Sequence, residues 1–265
     1  MREQSQAQSA VRVVDVWYEV DSRWVLQGVS LEVRTGEIFA IMGPSGCGKT
    51  TLLKLVGGLI KPQRGQIWIG DTEISRLSEV GLTPIRKQVG LVFQYAALFD
   101  SLTVYDNVAF GVRRHITRRE KEVAEIVKQR LEMVGMAGTE QLYPAQLSGG
   151  MQKRVGLARA LAMNPKIVLY DEPTAGLDPI MAETIDNLIV DTTRRLSVTA
   201  LVVSHDLTSV FHIADRVAML HEGRIIACGS PEELRANPNP VVHRFLRAGG
   251  IVQDEQTATV QERDR

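Results

Sequence analysis

The sequence predicts an α/β protein with a mainly parallel core sheet, an antiparallel β subdomain at the N-terminus and an α-helical subdomain inserted into the core. Three observations carry this. The runs "EIFAIM" (37–42), "IVLYDE" (167–172) and "TALVVSH" (199–205) are apolar without polar alternation, as in strands buried on both faces of a parallel sheet. Helical patterns follow two of them, at 49–59 and 179–196. Between 94 and 147 the pattern turns helical again, so an insertion interrupts the core.

Taken in order, the first ten residues, "MREQSQAQSA", are polar, with no apolar signal-peptide core, and are expected to be disordered. "VRVVDVWYEV" and "LQGVSLEVRTG" read as antiparallel strands with a glycine turn. "TRREKEVAEIVKQRLEMVG" opens with a Thr117/Glu120 capping box and carries an apolar stripe at Val123, Ile126, Val127, Leu131 and Val134. Asp178 suits an N-cap and Pro179 the first helical position of the helix after it. These elements predict one domain over 11–234, with its helical part at about 95–163, and a C-terminal extension over 235–265. In the extension, Asn239, Pro240 and Gly249 bracket a short helix with an apolar edge of Val241, Val242, Phe245 and Leu246. So short a helix needs a surface, either its own domain or a second protomer. The remainder, "IVQDEQTATVQERDR", has the composition of disorder.

Composition narrows the function. The chain has 265 residues, 44% hydrophobic and 23% charged, with 31 basic and 31 acidic side chains. That balance gives no global field toward nucleic acid or an anionic membrane. Two cysteines, Cys47 and Cys228, make no disulfide framework and suit a reducing compartment. No apolar run approaches the ~18–20 residues needed to span a bilayer.

The chemistry starts at "GPSGCGKTT". Gly43, Gly48, Lys49 and Thr50 complete G-x-x-x-x-G-K-T between a strand and a helix, the P-loop context. The stretch Gly43, Pro44, Ser45, Gly46, Cys47, Gly48, Lys49, Thr50 and Thr51 would wrap the phosphates of a nucleotide. Lys49 neutralises the β and γ groups, and Thr50 offers its hydroxyl to Mg²⁺. Cys47, at a helix start beside Lys49, is expected to have a lowered thiol pKa. Asp171 and Glu172 end an apolar strand; if the strand stops there, both face the site. Asp171 then suits Mg²⁺ and Glu172 a general base for an attacking water. A second anion-binding helix start, Ser148–Gly149–Gly150 in "QLSGGMQKRVGLARALA", lies roughly a hundred residues later.

"GPSGCGKTT", Gln94 in "LVFQ", "LSGGMQ", "LYDEP", "AGLD" and "VSHD" resemble, in order and spacing, the motifs of ATP-binding cassette (ABC) ATPases over 11–234. The resemblance implies the P-loop ABC-ATPase fold and a head-to-tail dimer holding two ATP molecules at its interface. Ser148 and the Gly149 and Gly150 amides would then meet the γ-phosphate held by the other protomer. His205 would contact that phosphate and the water, Gln94 would sense Mg²⁺ and the transporter, and Asp178 would couple the two sites. The family's aromatic residue for adenine is matched here by Val20, which leaves Tyr18, Trp24 or aliphatic packing open for the base.

Within that family, "ALFDSLTVYDNVAFGVR", "LYDEPTAGLDPI" and "SHDLTSVFHIADRVAMLHEGRIIACGSPEE" look like the ATPases of maintenance-of-lipid-asymmetry (Mla, or MCE-type) transporters. Such a resemblance implies phospholipid transport between membranes and a homodimer at the cytoplasmic face of the inner membrane. It also implies a membrane permease, an MCE-domain lipid-binding protein and a small regulatory subunit as partners, and no nucleic acid. Leu98 and Phe99 beside Asp100 would form a socket for the permease, or else pack the helical subdomain. The alternatives are an importer ATPase for an amino acid or metal, or a soluble ABC ATPase outside transport.

Overall fold

The computed structural model describes residues 8–252. Strands β1 (Ser9–Val20) and β2 (Arg23–Arg34) pair antiparallel. Their turn is Asp21–Ser22 rather than a glycine, both residues at positive φ (48° and 62°). Asp reaches that region more readily than most residues because its short polar side chain bonds locally. Strand β3 (Ile38–Met42) follows, buried at every position, and leads through the glycine-rich loop into α1 (Lys49–Val56). Strands β4 (Arg64–Ile69) and β5 (Thr72–Glu73) complete a four-stranded sheet in the order β2-β1-β4-β5. Ser9 and Ala10, expected outside the fold, open β1. Ala10 is buried, and its carbonyl accepts from the Gly70 N–H at 2.9 Å.

The chain then runs through α2 (Glu79–Arg86) to β6 (Val89–Val92), the edge of the core sheet. Helices α3 (Val104–His115), α4 (Glu120–Met133) and α5 (Gly149–Leu161) form the helical insertion. Its interior joins Val104, Val108 and Val112 to Val123, Val127, Leu131 and Val134, so the expected stripe is buried, with Ile126 partly so. The capping box does not form. The helix starts at Glu120 with Arg119 as N-cap; Thr117 accepts from the Arg119 N–H at 3.2 Å, and Glu120 is taken by Tyr105 and Arg113, both at 2.7 Å.

The core sheet is completed by β7 (Ile167–Asp171), β8 (Thr199–Ser204), β9 (Arg216–His221) and β10 (Arg224–Gly229), in the order β10-β9-β3-β8-β7-β6. All neighbours are parallel except β9–β10. Helices α6 (Pro179–Leu196) and α7 (Leu207–Ile213) follow β7 and β8. The three parallel strands β3, β7 and β8 therefore end together, and the loops after them face one region. That arrangement builds the site.

Helices α8 (Pro231–Arg235) and α9 (Pro240–Ala248) end the described chain. Asn239 caps α9 by accepting from the Val241 N–H at 2.9 Å. Val242 and Leu246 are fully buried against Leu207, Val210, Met219 and Leu234. Val242 and Leu246, with Phe245 partly buried, thus pack on their own domain, while Val241 of the expected edge is 36% exposed. The rest of the expected tail, 253–265, lies outside the described residues. Among the described residues no helix is long and apolar enough to cross a membrane.

Candidate functional site: a nucleotide cleft at the strand ends

The loop after β3 depends on two glycines. Gly48 caps α1 at φ 107°, and a Cβ there would lie 2.8 Å from Leu26 Cδ2. At Gly43, φ 152°, a Cβ would overlap the Leu220 carbonyl of β9. Only Gly meets both demands. Lys49 is buried, and its Nζ donates to the carbonyls of Gly43 at 2.8 Å and Pro44 at 3.1 Å, so the loop closes around its own lysine.

From the next residue, the Thr50 hydroxyl donates to Asp171 Oδ1 at 2.9 Å, joining the start of α1 to the end of β7. Burial pushes the Asp171 carboxyl above its ordinary range, with the Thr50 hydrogen bond opposing the rise. β7 ends at Asp171, and Glu172 takes φ 49°. That left-handed step is why neighbouring residues both reach the site. Glu172 Oε2 accepts from the His205 N–H at 3.2 Å and lies 2.8 Å from His205 Nδ1, and Oε1 sits 3.9 Å from Lys49 Nζ.

A cleft of about 510 Å³ is lined by Ser45, Gly46, Gly48, Lys49, Thr50 and Thr51, by Gln94, Glu172 and His205, and by Val20 and Val25. It brings together the P-loop, Gln94, Glu172 and His205, four widely separated positions that the sequence singled out. Tyr18 and Trp24 are not in its lining. Tyr18 packs on the core, while Trp24 stacks edge-on with Trp17 at 5.4 Å beneath Arg64 at 5.7 Å. The paired oxygens of Thr50 and Asp171 are the hard donors that Mg²⁺ takes, with the Gln94 amide lining the same cleft.

Ser148, Gly149, Gly150 and Asp178 lie outside this lining. Ser148 caps α5, accepting from the Met151 N–H at 3.3 Å, and is exposed with Gly149, while Gly150 is buried. Asp178 caps α6, accepting from the Met181 N–H at 3.0 Å, and is also exposed.

Cys47 differs from expectation. The helix start and Lys49 do pull its pKa down, but burial outweighs them and pushes the thiol up.

Two residues of α5 were not legible in the sequence. Lys153 Nζ donates to the carbonyls of Pro173 and Ala175, both at 2.7 Å. The Arg159 guanidinium donates to the carbonyls of Ala96 and Ala97, also both at 2.7 Å. Their partners are backbone atoms 20 to 63 residues away, so no local signal marks them. Beyond Ala97 the expected socket divides. Leu98 packs on the helical interior, whereas Phe99 is 44% exposed and meets Phe110 with ring centroids 4.8 Å apart.

Residues 26–175 match the family model described as ABC transporter. The chain is 41% identical over 240 residues to the intermembrane phospholipid transport system ATP-binding protein MlaF of Haemophilus influenzae, covering 91% of each chain. It is 43% identical over 244 residues to the MlaF of Escherichia coli K12, covering 92% of this chain and 90% of the relative. Among solved structures, it resembles the dimeric post-hydrolysis ATP-binding cassette MJ0796 bound to ADP and Pi. That match has 33% identity and a TM-score of 0.77, covering 83% of this chain and 98% of the other. It also resembles cbiO1 from Clostridium perfringens, part of the cbiONQ complex, at 32% identity and a TM-score of 0.80, covering 92% and 98%.

Proposed function

The chain belongs to the ABC transporter family, and on that premise we propose that it is the ATP-hydrolysing subunit of a transporter moving phospholipid between membranes through a separate permease. The observation that carries the reading is a division within one chain. Lys49, Thr50, Glu172 and His205 share a cleft, with Asp171 bonded to Thr50 at its edge, while the capped, exposed start of α5 at Ser148 stands outside it. The exposed start suits the nucleotide of a second copy.

In the closed dimer, Lys49 neutralises the β- and γ-phosphates, and Ser148 with the Gly149 and Gly150 amides meets the γ-phosphate held by the other protomer. Asp178 lies between the two sites. Glu172, braced by the backbone N–H and ring of His205, accepts the proton of the attacking water. Thr50, Asp171 and Gln94 would hold Mg²⁺, which when bound supplies charge stabilisation to the phosphates. The base of the nucleotide packs on Val20 and Val25.

Phe99, held beside Arg159, and Phe110 packed on it offer the permease an exposed aromatic surface, and Tyr95 nearby in sequence is 83% exposed. The permease keeps the subunit on the cytoplasmic face of the inner membrane. At ~0.8 kcal/mol per buried CH₂, two long acyl chains cost on the order of 20 kcal/mol to expose to water. Partners must therefore shield the lipid, here an MCE-domain protein and a small regulatory subunit, while hydrolysis drives opening and closing.

The test is purification of the tagged protein from native membranes. A polytopic permease and an MCE-domain protein are expected to accompany it. ATP-dependent transfer of a fluorescent phospholipid in proteoliposomes of that complex should disappear with Glu172→Gln. Recovery with a permease that carries amino acids or metals would overturn the lipid assignment.

A further inference from the structure

Lys153 is 8% exposed, and its polar partners among the described residues are the two carbonyls of Pro173 and Ala175. These bracket Thr174, itself buried, in the short segment between Glu172 and Asp178. The segment is a succession of tight turns: Ala175 N–H donates to Glu172 O and Leu177 N–H to Thr174 O, both at 3.2 Å. Glu172 enters it at φ 49°, and Asp178 leaves it as the cap of α6. The ammonium comes from a different element, α5, whose first turn is capped by Ser148.

Packing does not explain this ammonium. A buried cation that meets only neutral acceptors is costly, and an apolar side chain of similar length would fill the space without that cost. Burial pushes its pKa down, and the negative charge of Glu172 opposes the fall. What the ammonium provides, and a methyl group does not, is a fixed distance from α5 to two consecutive turns of the catalytic segment.

We infer that Lys153 is a positioning residue for hydrolysis: by holding the carbonyls of Pro173 and Ala175 it fixes Glu172 before them and Asp178 after them relative to α5. The inference rests on the reading of Glu172 as the base. It adds a link within each protomer. The helix whose start meets the partner's nucleotide is joined, by one side chain, to the segment that acts on the protomer's own nucleotide.

The experiment compares Lys153→Met, Lys153→Arg, Glu172→Gln and the Lys153→Met/Glu172→Gln double variant as full-length protein. The measurements are steady-state hydrolysis, binding of a fluorescent ATP analogue, and thermal unfolding. Lys153→Met is expected to lower kcat by on the order of 10- to 100-fold, since small misplacements of catalytic groups cost that much. KM and analogue affinity should stay within about twofold, the uniform-binding half of the split. Lys153→Arg, which still reaches carbonyls, should recover kcat to within about threefold of the native protein. A residue acting through Glu172 loses its effect once Glu172 is gone, so the double variant should hydrolyse no more slowly than Glu172→Gln alone.

A kcat within twofold of native for Lys153→Met overturns the inference. So does a further multiplicative loss in the double variant, or a joint loss of binding and thermal stability that Lys153→Arg fails to restore. Native turnover in Glu172→Gln alone would instead remove the base assignment, a distinct failure.

Discussion

His205 Nδ1 lies 2.8 Å from Glu172 Oε2, and the backbone N–H of His205 donates to the same oxygen at 3.2 Å. One residue at the end of β8 thus grips the carboxylate at the end of β7 twice. This fixes the direction in which Glu172 presents its other oxygen. Glu172→Gln keeps the shape and removes the proton acceptor. Hydrolysis is expected to fall by on the order of 10²–10⁴, while ATP still binds and holds a dimer visible by size exclusion. Near-native turnover would remove Glu172 from the role.

The cleft is lined by Val20 and Val25 and by no Phe, Tyr or Trp, so on the proposed reading the base meets aliphatic side chains. Val20→Tyr should add a stacking surface, and aromatic contacts of this kind contribute ~0.5–1.5 kcal/mol. A KM for ATP lower by about two- to tenfold, with kcat unchanged, is the expected kinetic signature. An unchanged KM would mean that the base does not lie against Val20.

For the two thiols, exposure sets the order of reaction. Cys228 is exposed and Cys47 partly covered, and burial pushes both pKa values up. At neutral pH a maleimide should modify Cys228 first, leaving hydrolysis intact because Cys228 lies on β10 outside the cleft lining. Cys47 should follow slowly, and more slowly still with ATP bound. Timed peptide mapping reads both rates; faster labelling of Cys47 would contradict the burial.

Asp186 of α6 carries a pH dependence. Burial pushes its carboxyl up from 3.8 to about 6; the Ser209 hydroxyl, donating at 2.5 Å, opposes the rise, as does His212, while Asp206 and Glu183 add to it. The folded state keeps this proton where the unfolded chain has lost it. Stability from this group is therefore full below about pH 4, falls as pH rises to about 6, and is absent above that. The total is roughly 2–3 kcal/mol. Asp186→Asn still accepts from Ser209 without a charge, so it should unfold at higher temperature than the native protein at pH 7.5 and equally at pH 4. Equal stability at both values would refute the shift.

Ending the chain at residue 239 removes α9 and uncovers the surface that Val242 and Leu246 cover. Each of these side chains contributes ~1.5–3 kcal/mol when fully buried, so a clear drop in unfolding temperature is expected. A chain ended at residue 252 keeps that packing and should unfold like the native protein. Thermal unfolding of the two truncations decides the matter.

Strands β3, β7 and β8 and the P-loop were legible because each is encoded locally: an unbroken apolar run, or glycines where a Cβ would strike Leu26 or Leu220. Helix α2 was not, since Pro84 in its interior reads as a breaker. Edge strand β6 is only Val89–Val92, too short to show a period. The capping box at Thr117 matched a pattern, but the tertiary pull of Arg113 and Tyr105 on Glu120 outcompeted it. In the site, Glu172 and His205 were readable one by one. Their mutual hydrogen bond was not, because it exists only once β7 and β8 lie side by side.

The Arg159 clasp on Ala96 and Ala97 has a consequence for how such a subunit could change partners. Its hydrogen bonds go to two carbonyl oxygens and to no side chain, with the Phe99 ring centroid 5.9 Å from the guanidinium. Tyr95, 83% exposed along this stretch, can be exchanged without loosening the hydrogen-bonded joint to α5. Selection for a different permease would thus act on a rim that is free to drift. The linkage beneath it, made of main chain, is indifferent to the outcome.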